Sequence, residues 1–95
     1  MPRRAVLSDE QRMALLALPD DETTLVQHWT LSEDDLAIIV RRRRPHNRLG
    51  FAIQLCALRY PGRLLRPGEL IPDTPLAFVA EQLQIAPEVL ADYAT

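Results

Sequence analysis

The sequence has no lysine, one cysteine, three glycines, five aromatic residues and no acidic residue between Arg41 and Arg66. Each shortage excludes something. A lone Cys56 cannot close an intramolecular disulfide, and with only His28 and His46, far apart in sequence, there is no zinc-ligand spacing. No apolar run approaches the roughly 20 residues of a membrane span, and Met1-Pro-Arg-Arg is not followed by the apolar core of a signal peptide. The sequence therefore predicts a cytoplasmic chain with no membrane partner. A glycine-rich phosphate loop is absent, and Cys56 sits in apolar sequence with nothing to activate it. Ninety-five residues with 47% hydrophobic content suit a single small domain over residues 1–95 with a thin core.

All eleven basic residues are arginine. A GC-rich coding bias accounts for this, and arginine is also the better phosphate and guanine ligand. The charge is strongly segregated. Residues 1–40 carry −5, residues 41–66 carry +8 and residues 67–95 carry −5, which together give the net −2. A pI near 5.6 thus conceals a local basic block suited to a polyanion.

Prolines 19, 45, 61, 67, 72, 75 and 87 divide the chain into short segments of helical periodicity. An all-α fold of five to six short helices follows, with a helix-turn-helix-like element and a central buried helix. Ser8 and Gln11 resemble a capping box opening a helix through Leu18. Asp20 or Asp21 caps a second, ending near Trp29, with Leu25, Val26 and Trp29 on its apolar side. Ser32 caps a third, whose first turn holds Glu33, Asp34 and Asp35 and whose inward stripe is Leu36, Ile39 and Val40. Continued past Arg42, that helix would bring Arg43 and Arg44 near its core stripe, so it is expected to end about there.

The fourth helix, Pro45 to Tyr60, is apolar on nearly every side. At about 100° per residue, Arg48, Ala52, Leu55 and Arg59 form one stripe able to reach solvent, and Asn47, Phe51, Gln54 and Leu58 another. Phe51, Ile53 and Leu58 are candidate core residues. Gly50 costs this helix about 1 kcal/mol relative to alanine, which suggests a neighbouring backbone or a ligand passing close, with helix packing the favoured cause. A loop over 61–73 carries Arg63 and Arg66. Thr74 is expected to cap a helix through Gln84, with Leu76, Val79, Ala80 and Leu83 inward, and Pro87 to begin a last one.

The segment Arg41-Arg42-Arg43-Arg44-Pro45-His46-Asn47-Arg48 joins two helices across a short turn. Arginines at a helix C-terminus stabilise its dipole, and Asp34 or Asp35 could pair with one or two of them. That explains two arginines, not five. The next helix starts with free N–H groups amid Arg44, His46 and Arg48, a setting that favours phosphate. Arg42, Arg43, Arg44 and Arg48 are expected to supply most of the affinity for DNA, with Arg59, Arg63 and Arg66 a weaker second set. Arg48 is the favoured base reader. His46 serves equally as a phosphate or base donor or as a turn-bonding residue. Asn47 and Gln54 suit adenine readout, or equally a cap and a core-edge amide.

Catalysis has little support, because Asp20-Asp21 and Asp34-Asp35 occupy cap and first-turn positions rather than converging on a metal. No cofactor is implied. The run Trp29-Thr-Leu-Ser-Glu-Asp-Asp-Leu36, followed by Arg42-Arg-Arg-Pro-His-Asn-Arg-Leu-Gly-Phe-Ala-Ile-Gln-Leu-Cys-Ala-Leu-Arg-Tyr-Pro-Gly-Arg63, closely resembles the N-terminal region of the Tn-three family of large replicative transposases (TnpA). Arg4 to Leu18 and Ile71 to Tyr93 are similar to it as well. The resemblance implies a helical module that helps bind the terminal inverted repeats of a bacterial mobile element. It also implies a fragment of a longer protein whose acidic, metal-dependent catalytic centre lies downstream. Double-stranded DNA at transposon ends and the remainder of the transposase are the expected partners, with a second copy as a further one. A helical protein-interaction or self-assembly segment without DNA contact is the alternative.

Overall fold

A computed structural model describes residues 16–92. Among them are four α-helices, α1 (Glu22–His28), α2 (Glu33–Ile39), α3 (Pro45–Arg59) and α4 (Asp73–Leu83), then a 3₁₀ helix (Pro87–Asp92), and no strand. The fold is all-α, as the proline punctuation predicts. Most of the helix expected from Ser8 to Leu18 lies outside the described residues; Leu16 and Ala17 form a turn, not its last residues.

Capping chemistry sets the first two helices. The Asp21 carboxylate accepts from the Thr24 N–H at 2.9 Å and the Thr24 hydroxyl at 2.7 Å, which starts α1. At α2, Ser32 and Asp35 form a reciprocal capping box: Ser32 Oγ accepts from the Asp35 N–H at 3.1 Å, and the Asp35 carboxylate accepts from the Ser32 N–H at 2.9 Å. Pro45 occupies the first position of α3, where its missing N–H costs nothing. The start of α4 differs from expectation, since the helix begins at Asp73, the cap position is Pro72, and Thr74 lies inside the first turn.

The core is built around α3. Leu49, Ala52, Ile53, Cys56 and Ala57 recur at helical spacing and are all fully buried. Leu25 and Trp29 cover this stripe from α1, Ile39 from α2, and Val79 and Ala80 from α4. Gly50 is buried within the same helix. Several expected faces split. Val26 and Val40 are about half exposed beside buried Leu25 and Ile39, and Leu58 faces solvent although Ile53, its fellow candidate, is fully enclosed. Phe51 is only partly buried, and Ala52, placed on a solvent stripe by the wheel, is enclosed. These seven- to fifteen-residue helices bury narrow stripes, so a residue one position off the stripe reaches water.

Side chains with paired polar groups close the remaining gaps. The Trp29 indole N–H donates to the Tyr60 carbonyl at 2.8 Å, and its backbone carbonyl accepts from the Gln82 amide at 3.0 Å. The same Gln82 accepts from the Leu31 N–H at 2.8 Å, clipping α4 to the α1–α2 linker. After α3 the chain reverses at Pro61 and Gly62. The Gly62 and Arg63 N–H groups both donate to the Ala57 carbonyl, and Gly62 has φ +97°, which favours glycine. Gln84 takes the left-handed position ending α4 (φ 57°), and the Ile85 N–H returns to the Ala80 carbonyl at 3.0 Å.

Candidate nucleic-acid interface

The basic block forms the turn between α2 and α3. α2 stops at Ile39, three residues earlier than expected. Arg41 and Arg42 donate their N–H groups to the Ile38 and Ile39 carbonyls at 3.2 and 3.0 Å, tightening the final turn and carrying the chain away from the core. Arg44 is extended and caps α3 without a side-chain bond, so the start of α3 has neither a capping side chain nor an acid. Arg41, Arg42, Arg43 and Arg44 are exposed, and His46, Asn47 and Arg48 are partly buried.

The eight arginines of the block divide by what their guanidinium groups touch. Arg41, Arg43 and Arg44 form no salt bridge or side-chain hydrogen bond among the described residues. Arg42 lies over the Phe51 ring at 4.2 Å, a cation–π contact. Arg48 Nε donates to the Arg42 carbonyl at 2.6 Å and Nη2 to the Val40 carbonyl at 3.3 Å, so this side chain satisfies the C-terminal end of α2.

Two arginines form bidentate ion pairs. Arg59 grips both oxygens of buried Asp35 at 2.6 and 2.7 Å. The Arg59 guanidinium holds the Asp35 carboxyl well below the ordinary carboxylate range, against the opposing effect of burial. Asp35 therefore pairs with Arg59 across α3, and not with the Arg41–Arg44 run. Arg63 grips Glu69 at 2.7 and 2.8 Å and also donates to the Leu16 and Leu64 carbonyls. Bonding to Arg63 lowers Glu69 to about 2. Arg66 contributes its backbone N–H to Glu69, and its side chain borders open grooves.

Of the candidate amides, Gln54 accepts from the Leu65 N–H at 2.9 Å, which makes it the core-edge amide that fastens the loop. Cys56 is fully buried, donates weakly to the Trp29 carbonyl at 3.7 Å, and burial pushes its thiol up to about 12. Among the described residues no group of three or more His, Cys, Asp or Glu side chains could hold a metal ion, and no helix is long and apolar enough to cross a membrane.

Sequence reasoning located the junction but missed the two ion pairs and the Gln82 clip. Asp35 and Arg59 are 24 positions apart and Gln82 and Trp29 53 apart, separations that leave no local signature. The one available hint was the Ser32-x-x-Asp35 spacing, which places an acid at the third position of α2.

Known proteins extend the resemblance seen in the sequence. The chain is 48% identical over 93 residues to the transposase for transposon Tn21 of Escherichia coli, and 44% identical over 93 residues to that of Tn501 of Pseudomonas aeruginosa. It is also 42% identical over 90 residues to the transposase for transposon Tn1546 of Enterococcus faecium. These matches take in 98%, 98% and 95% of the chain, yet in each case only 9% of the relative. The chain thus spans about a tenth of the length of the curated relatives it matches, in the N-terminal region of Tn3-family transposases. Residues 6–95 match a family described as "Domain of unknown function (DUF4158)", and to that family the chain belongs.

Proposed function

We propose that this segment is a DNA-binding module of a transposase and contributes to recognition of the terminal inverted repeats through the α2–turn–α3 element, used as a helix-turn-helix. One observation carries the reading: Arg41, Arg43 and Arg44 stand exposed, without an internal anion among the described residues, beside the uncapped positive end of a fifteen-residue helix. A cluster of unneutralised guanidinium groups at a helix N-terminus suits a phosphate backbone. Arg66 is a further exposed arginine, in the loop after α3. Arg59 and Arg63, each neutralised by a carboxylate, are weaker candidates than their charge alone suggests. His46 and Asn47, partly exposed in the first turn of α3, stand nearest to base edges if that end enters a groove. The chemistry of transposition is assigned to the remaining nine-tenths of a longer protein, and the working compartment to the cytoplasm.

The test is binding of the chain to labelled inverted-repeat and scrambled duplexes across a salt series. Each phosphate contact contributes roughly 0.9 to the slope of log affinity against log salt. An Arg41→Ala/Arg43→Ala/Arg44→Ala variant is expected to flatten that slope by about 2 to 3 while melting like the parent. A folded triple variant with unchanged slope and affinity would remove the junction from the DNA surface. A second reading, self-assembly, draws on Leu70, which is 90% exposed and borders an open groove of about 550 Å³, and on Leu64, 60% exposed in the same loop. Sedimentation as a monomer at both low and high salt would count against it.

A further inference from the structure

Resting on the DNA-binding reading, we infer that Arg48 and Arg59 are positioning residues: they fasten α2 to α3 at opposite ends and so set the direction in which Arg41, Arg43 and Arg44 face. α2 is only seven residues long. A helix of that length has little stability of its own and depends on packing. Its packing is meagre, since Ile39 is its one fully buried apolar residue, Leu36 is partly buried, and Ile38 and Val40 are 42% and 54% exposed. Apolar contact alone holds it loosely.

The two arginines supply the missing attachment. At the first turn of α2, Asp35 serves both the capping box and the bidentate grip of Arg59, from the last turn of α3. At the other end, Arg48, from the first turn of α3, donates to the Val40 and Arg42 carbonyls. Each contact joins the start of one helix to the end of the other, so the α2–turn–α3 element is pinned at both ends. Arg42, stacked on Phe51, anchors the turn between the pins. A guanidinium committed to two carbonyl groups, or to both oxygens of a carboxylate, has surrendered the fork that would take a phosphate. Phosphate contact falls to the exposed Arg41, Arg43 and Arg44.

The test separates charge from geometry with the whole chain. Gln places an amide nitrogen where Arg carries Nε, so Arg48→Gln keeps the bond to the Arg42 carbonyl and loses the charge, whereas Arg48→Leu loses both. Positioning predicts that Arg48→Gln binds DNA close to the parent, that Arg48→Leu loses about tenfold, the worth of one charged hydrogen bond, and that neither changes the salt slope. Phosphate contact predicts equal weakening of both and a slope lower by roughly 0.9, and that outcome would overturn the inference for Arg48. For Arg59 the two roles predict opposite signs. Asp35→Asn frees Arg59 from its anion, which strengthens binding if Arg59 meets phosphate and weakens it about tenfold if Arg59 serves to hold α2. Thermal melts read the same inference without DNA: Arg48→Leu and Asp35→Asn are expected to lower Tm by roughly 4–8 °C or more, and Arg43→Ala to leave it unchanged. A parent chain that bound neither duplex would refute the DNA-binding reading, and the melts would still decide the clamp. Arg48→Leu and Asp35→Asn melting like the parent would end it.

Discussion

Trp29→Phe tests whether one residue binds α1 to the rest of the fold. Trp29 is completely buried, its indole N–H donates to the Tyr60 carbonyl at 2.8 Å, and its ring packs against the α3 stripe. Phenylalanine keeps an aromatic ring but cannot donate. The bond to the Tyr60 carbonyl is only part-buried, so its loss costs about 1 kcal/mol, not the full penalty of a sealed acceptor. The part of the indole that a phenyl ring cannot refill contributes about 1–2 kcal/mol more, at roughly 0.8 kcal/mol per buried methylene-sized group. A total of about 2–3 kcal/mol is expected. With roughly 4–8 °C per kcal/mol for a domain of this size, Tm should fall by at least about 8 °C. Far-ultraviolet circular dichroism follows the melt without relying on tryptophan emission, which the substitution abolishes. A loss below about 0.5 kcal/mol, the range of ordinary surface changes, would refute the account of Trp29 as the α1 anchor.

Along α3, Ile53→Ala is expected to cost about 2–5 kcal/mol and Leu58→Ala less than about 0.5, since one is fully buried and the other faces solvent; urea unfolding of both variants checks this. Acid should destabilise the fold. Glu69 falls from an ordinary 4.5 to about 2 in the folded chain, and Asp35 is depressed as well. Their contribution is fully present above about pH 4.5 and is lost as pH falls toward the folded values, because the unfolded chain then binds more protons. Glu69→Gln should flatten the dependence of Tm on pH between about 4.5 and 2, and an unchanged profile would count against the Arg63 pair. Cys56, buried and raised to about 12, should react with a thiol reagent at neutral pH only as the chain unfolds, so immediate labelling of the native protein would contradict its placement.

Features that depend on neighbours in sequence were readable without coordinates. The Asp21 and Ser32 caps and the proline-bounded start of α3 are local, because a capping side chain reaches only the next few N–H groups and a proline suits the first helical position. The same holds for the segregation of charge, which placed the basic turn between two helices, and for the ordered run from Trp29 to Arg63, which carried the resemblance to the transposases. Which side of each short helix meets water was not local. Val26, Val40 and Leu58 are as apolar as their buried neighbours, and only the position of the partner helix separates them. Nor could charge alone say which arginines remain available: Arg59 and Arg63 are neutralised by Asp35 and Glu69, and Arg48 is hydrogen-bonded to the carbonyl end of α2. Sequence determined the helices and the density of positive charge, whereas tertiary structure decided which charges are spent internally, because an ion pair between α2 and α3 exists only once packing has brought their ends together.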